Sequence, residues 1–126
     1  MTDADRMRSI DECPPELALA IREFWPIEEW DNAASIAWLE SGWDWKAEND
    51  TRRVGHPCGS YLGLRDGVPV AAEWSIGYFQ INVCNYPDWL PGHFFNARQN
   101  AGTAHDLWSR RGWQPWYFSA IKLALM

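Results

Sequence analysis

The chain has 126 residues, 47% of them hydrophobic and 22% charged, which suits one domain with a real core and excludes a disordered tail. A formal charge of −6 argues against a general nucleic-acid binder, because phosphate contacts need clustered Lys and Arg. No run of about 18 apolar residues occurs, so no stable membrane insertion is expected.

The opening segment, MTDADRMRSIDECPP, has charges but no apolar stretch after them and does not read as a secretory signal. A single domain spanning 1–126 is expected, with a core from about 15 to 121 and residues 1–13 as an N-terminal extension. Pro14-Pro15 opens a helix, Leu17, Ala20, Ile21 and Phe24 fall at helical spacing, and Pro26 stops it. A second helix starts near Ile27–Glu29 and carries Trp30, Ala33, Ala34, Ala37 and Trp38, with Gly42 as its natural end. The polar stretch from Trp43 to His56 reads as loop.

Ser60 to Trp74 reads as a hairpin turning at Asp66-Gly67, with Pro69 keeping its strand at an edge. Ser75 to Asn82 forms a short element around Gly77. Asn96 caps a helix with Gln99 at its third position, and Ala97, Ala101, Ala104 and Trp108 form its stripe up to Gly112. Pro115 starts a last helix carrying Trp116, Ala120 and Leu123. The fold class expected is α+β, mostly helical, with one small β-hairpin.

Two compositional features stand apart. Ten residues are tryptophan, an excess that suggests indoles on a surface able to stack on sugar rings. Trp38 and Trp108 lie on apolar stripes and are assigned to the core, while Trp113 and Tyr117 are candidates for a groove. The three cysteines, Cys13, Cys58 and Cys84, are an odd number. Cys58 and Cys84 can pair across the hairpin, but reduced thiols are the preferred reading for a chain made in the cytosol. His56, Cys58, Cys84 and His93 lack the spacing of a zinc motif, and no metal or organic cofactor is implied.

Glu40 breaks the pattern. It lies at i+4 from Ile36 and i+3 from Ala37, so it continues the stripe that faces the core. It also sits in the last helical turn, where the helix dipole disfavours negative charge. Apolar surroundings and the dipole both raise a carboxyl pKa, toward the protonated state a general acid for glycoside cleavage requires. The bland alternative is a frayed helix end with Glu40 in solvent.

Glu40-Ser41-Gly42-Trp43, followed by Ser75-Ile76-Gly77-Tyr78-Phe79-Gln80-Ile81-Asn82, resembles the paired signature of the lysozyme-like superfamily. The closer likeness is to bacterial and phage lytic-transglycosylase domains of the soluble type. A third block, Asn96 to Trp116, resembles that family's later helix with its G-W-x-x-W ending. The resemblance implies a lysozyme-like fold in which the hairpin forms one wall of a substrate cleft. It implies that Glu40 is the catalytic acid, Ser41 orients it, and Gly77 lets backbone approach the sugar. Ser75, Tyr78, Gln80 and Asn82 would then belong to the facing wall, with Trp113 and Tyr117 in the groove. The connection between Glu40 and Ser75 is longer than in many relatives, and the hairpin reads as an insertion.

The implied reaction is cleavage of the β-1,4 bond between N-acetylmuramic acid and N-acetylglucosamine in peptidoglycan glycan strands. Hydrolysis of such a bond usually takes two carboxylates. Ser75 stands where animal-type lysozymes have an aspartate, which favours the transglycosylase route, in which the sugar's own 6-hydroxyl attacks and an anhydro end forms. Glu73 keeps hydrolysis open as a possible second carboxylate, although an exposed hairpin charge is its simpler reading. A phage source, as endolysin or virion part alongside other virion proteins, would bring a cytoplasmic product without a signal to the cell wall. The chain can also be one domain of a longer protein. The rival expectation is a non-catalytic carbohydrate-binding or structural virion module, and a chitin-directed hydrolase is a further one.

Overall fold

Proline and small side chains set the helical frame. In the computed structural model, which describes residues 6–126, α1 runs Pro15–Phe24 with proline at its start. A 3₁₀ turn at Ile27–Glu29 leads into α2, Trp30–Ser41, where Gly42 ends the helix at φ +63°. That left-handed conformation is the one glycine adopts without a Cβ penalty. The run Ala33, Ala34, Ser35, Ile36, Ala37 is buried, so α2 is a central helix whose small faces admit close neighbours.

Expected as loop, residues 48–50 form a strand, β1 (Glu48–Asp50). All three are exposed and show no alternation, so local sequence carries no strand signal. The strand exists because β4, Trp74–Ile76, offers a free edge, and Asn49 pairs opposite Ser75. Between them lies the expected hairpin, β2 (Tyr61–Arg65) and β3 (Val68–Ala71), turning at Asp66-Gly67 with positive φ at both positions. That is the backbone of the tight hairpin turn whose twist matches its strands. Pro69 lies in this separate two-stranded sheet, where a missing N–H is tolerated. β5, Ile81–Asn82, pairs with β4 and completes a three-stranded antiparallel sheet in the order β1-β4-β5.

Asn96 caps α3, Ala97–Arg111, by accepting from the Gln99 N–H at 3.1 Å. Gln114–Trp116 is a 3₁₀ turn, and α4 spans Tyr117–Lys122. α1 packs along α3 and α2, and α2 meets α4, giving an α+β fold with small antiparallel sheets at one side of a helical core. The core begins earlier than expected: Ile10 is buried in it, and its N–H donates to Asp31 of α2 at 2.8 Å. The expected extension 1–13 is therefore partly docked structure, and its first five residues lie outside those described.

The tryptophans are mainly structural. Trp25 stacks on Trp113 at 6.2 Å, and Phe79, Trp108 and Trp116 close the same cluster. The Trp116 indole donates to the Phe79 carbonyl at 2.8 Å, which satisfies its buried N–H. Trp108 is half-buried against this core, whereas half-buried Trp38 packs on Trp43 and under the Arg8 guanidinium. Only Trp45 and Trp89 are exposed among the ten, so the indole surface expected from composition is small. Cys58 and Cys84 form a disulfide with Cα atoms 5.7 Å apart, against the preferred reading of reduced thiols. Cys13 is free and half-buried, and burial pushes its thiol up to about 12.

Candidate functional site

The end of α2 meets the sheet and α4 around a cavity of about 250 Å³. Leu39 and Glu40 come from α2, Asn49 from β1, Arg65 from the hairpin, Ser75 from β4, and Ser119 from α4. Glu73 and Gln80 line it too, so residues far apart in sequence converge on one place. A second cavity of about 380 Å³ opens beside it and shares Glu40, Arg65, Glu73, Gln80 and Phe118. The two form one cleft with the carboxylates at the junction.

Glu40 is held where the sequence places it. Its Oε2 accepts from the Ser119 hydroxyl at 2.5 Å. Burial raises its pKa, since removal from water penalises the charged form most, and the negative charge of Glu73 adds to the rise. The Ser119 hydrogen bond and the charges of Arg65 and Lys122 act in the opposite sense. Desolvation outweighs them, so the group is kept ready to carry a proton.

Glu73 points into the cleft, against the simpler expectation of an exposed hairpin charge. It lies between β3 and β4, and the Ser75 hydroxyl donates to its Oε2. Thr51 fixes the backbone at this point, accepting from Glu73 N–H at 2.9 Å through Oγ1 and donating its own N–H to the Glu73 carbonyl at 2.9 Å. This contact continues the β1–β4 register, and the two-residue alternation of an extended chain puts Glu73 on the same face as buried Ser75.

Gln80 also lines the cleft. Its backbone sits at φ +51°, unusual for a residue with a side chain, and its amide donates to the carbonyls of Ala47 and Gly77 at 3.2 and 3.0 Å. Asn82 lines the second cavity, but its side-chain oxygen is committed to the N–H groups of Trp74 and Cys84 at 3.2 and 3.1 Å. Tyr117, 36% exposed, borders the same cavity.

Four expected roles are corrected. Ser41 does not orient Glu40: its hydroxyl donates back to the Ala37 carbonyl at 2.9 Å, within its own helix. Gly77 is buried, and its close approach is internal, because an added Cβ would lie 2.4 Å from Asn100 Nδ2 and 2.6 Å from the Phe94 carbonyl. Tyr78 is 1% exposed and donates its phenol to Glu16, on the side of α1. Trp113 is 7% exposed and belongs to the aromatic core.

No family model, curated protein or solved structure matches the chain. What the site can do follows from its own groups. A carboxyl biased toward its protonated form shares a polar cleft with a second carboxylate, and Phe118 and Tyr117 also line it. That combination can donate a proton to a leaving oxygen and stabilise positive charge or a water on the other side. Among the described residues no three His, Cys, Asp or Glu side chains gather as a metal site.

Several residues of the cleft carry no site motif, among them Ser119, Arg65, Asn49, Phe118 and Arg111. Ser119 had a signal, since it falls at i+3 from Trp116 and i−4 from Leu123, a polar residue on an apolar helical stripe. Arg65 and Asn49 had none, because a hairpin tip and an unpatterned strand look like ordinary surface.

Proposed function

We propose that this chain cleaves the β-1,4 bond between N-acetylmuramic acid and N-acetylglucosamine in peptidoglycan, with Glu40 as general acid and Glu73 as second carboxylate. The observation that carries the reading is the raised Glu40 carboxyl sharing one cleft with Glu73. The likeness of Glu40-Ser41-Gly42 and Ser75 to Asn82 to lysozyme-like and soluble lytic-transglycosylase segments supplies the substrate class and a lysozyme-like fold. Glu40 protonates the leaving glycosidic oxygen. Glu73 stabilises the developing oxocarbenium charge or activates water, as a second carboxylate does in glycoside hydrolysis. Ser119 and Ser75 hold the two acids by hydrogen bonds. The Cys58–Cys84 disulfide favours action outside a reducing cytoplasm, in keeping with a phage-encoded enzyme that reaches the cell wall.

Mass spectrometry of muropeptides after incubation with purified peptidoglycan tests the reading, with Glu40→Gln and Glu73→Gln alongside. Hydrated reducing ends are expected, lost by about 10²–10⁴-fold in Glu40→Gln, the usual range for removing a general acid. Anhydro-muramic ends that disappear in Glu40→Gln would instead assign the transglycosylase reaction. No product on any wall type would support a carbohydrate-binding module.

A further inference from the structure

The cleft carries positive charge that the catalytic pair does not require. Arg65 is exposed at the end of β2, and its guanidinium lies over the Phe118 ring at 4.0 Å. Arg111, in the last turn of α3, lines the second cavity with it. Neither forms an ion pair among the described residues, whereas Arg22, Arg52, Arg98 and Arg110 each hold a carboxylate. In a chain with 17 acidic and 11 basic residues, carboxylate partners are plentiful, so two arginines left open toward one cleft stand out. Beyond the junction where Glu40 and Glu73 sit, Arg111 is the one charged side chain lining that cavity.

A guanidinium offers a planar fork of N–H donors matched to a carboxylate, and stacking on an aromatic face leaves the fork free to do so. The Phe118 ring holds Arg65 in this way at the mouth of the junction. We propose that Arg65 and Arg111 are specificity residues that recognise a carboxylate carried by the muramoyl sugar, and so select peptidoglycan strands over neutral glycans. The inference rests on the glycan-cleaving reading and names the substrate feature that this cleft selects. Two sources share the chemistry: the lactyl carboxylate of peptide-free strands and the carboxylates of the stem peptide.

Binding is measured with the Glu40→Gln protein, and turnover with the unaltered chain. The ligands are soluble glycan strands with stem peptides, amidase-stripped strands with free lactyl groups, each of these after carboxyl amidation, and chitin oligomers. Carboxylate-bearing strands are expected to bind at least about tenfold tighter than their amidated counterparts, the scale of one charged hydrogen-bonded contact. That ratio falls toward one when Arg65→Gln and Arg111→Gln are added, while Arg65→Lys keeps part of it. Persistence of the preference on stripped strands assigns the lactyl group, and its loss there assigns the stem peptide. Equal binding of charged and amidated strands by the Glu40→Gln protein with both arginines intact overturns the proposal without any arginine variant having to fold. Absence of turnover with a retained charge preference would remove the catalytic reading and leave this one standing.

Discussion

At the scale of single residues, Glu40 is a group the fold holds at a cost. Its pKa is raised in the folded chain, so between the unfolded and folded pKa values the native state binds more protons than the unfolded one. Stability contributed by the protonated form is present below the unfolded pKa and is lost as pH rises toward the folded value. Glu40→Gln removes this penalty and leaves the Ser119 hydroxyl an amide oxygen to bond. We expect thermal melts to show Glu40→Gln more stable than the parent at pH 7, the gap closing below pH 4. Activity should fall on the alkaline side as Glu40 loses its proton, and Glu73→Gln should lower that alkaline pKa because a neighbouring negative charge is gone. A pH–rate profile of both proteins checks this.

Gly77 and Asn100 show how backbone shape is set for the cleft wall. Asn100 is fully buried, accepts from Phe79 N–H at 2.8 Å and donates to the carbonyls of Ile76 and Phe94, each at 2.8 Å. It replaces, for the chain reversal between β4 and β5, the partners a regular ladder would supply. Gly77→Ala would drive a Cβ into this latch at φ +79°. We expect a loss of about 2 kcal/mol or more, and about 3 kcal/mol for Asn100→Ala, which leaves several buried backbone groups unpaired. Urea unfolding midpoints decide it, and normal stability of Gly77→Ala would show that the turn can open.

Among the elements, the hairpin is the piece with the weakest support of its own. β2 and β3 expose most of their side chains and pair only with each other. The bonds of Gly59 and Ser60 with Ala72 only lengthen its own ladder, so the ties to the rest of the molecule are Arg65 over the Phe118 ring of α4 and the Cys58–Cys84 disulfide to the segment after β5. An isolated hairpin is marginal in water, so the covalent tie keeps Arg65 at the cleft. Reduction should lower stability by about 3 kcal/mol, the chain-entropy value for a loop of this length. Activity of the reduced chain should fall more through KM than through kcat, since Glu40 stands on α2 and Glu73 is fixed to Thr51 and Ser75 rather than within the β2–β3 ladder. Steady-state kinetics with and without reductant at a temperature where both forms are folded separates the two.

For the whole molecule, the aromatic side chains divide into those that build the core and those that border the cleft. Trp113 sits between Trp25, Trp108 and Trp116, so Trp113→Ala should cost about 3–5 kcal/mol, as large core truncations do. Tyr117 touches Phe118 and faces the cleft, so Tyr117→Ala should leave the melting temperature within a few degrees and raise KM. The opposite result for either residue would reverse its place in the molecule.

Local pattern specifies the helices, the hairpin turn and the place of Glu40 on its stripe. Pro15, Gly42, Asp66-Gly67 and Asn96 act through their own dihedrals or a neighbouring N–H, which are local properties. Glu40 was legible because a carboxyl on an apolar helical stripe is conspicuous without knowing what the stripe touches. Tertiary contact makes β1 a strand, brings Cys58 to Cys84, and puts Ser119 rather than Ser41 on the acid. It also turned Glu73 and Arg65 into the cleft and sent Tyr78 and Trp113 away from it. Each of these depends on a partner far along the chain, and pattern within a segment records which side chains can be buried, not against which neighbour.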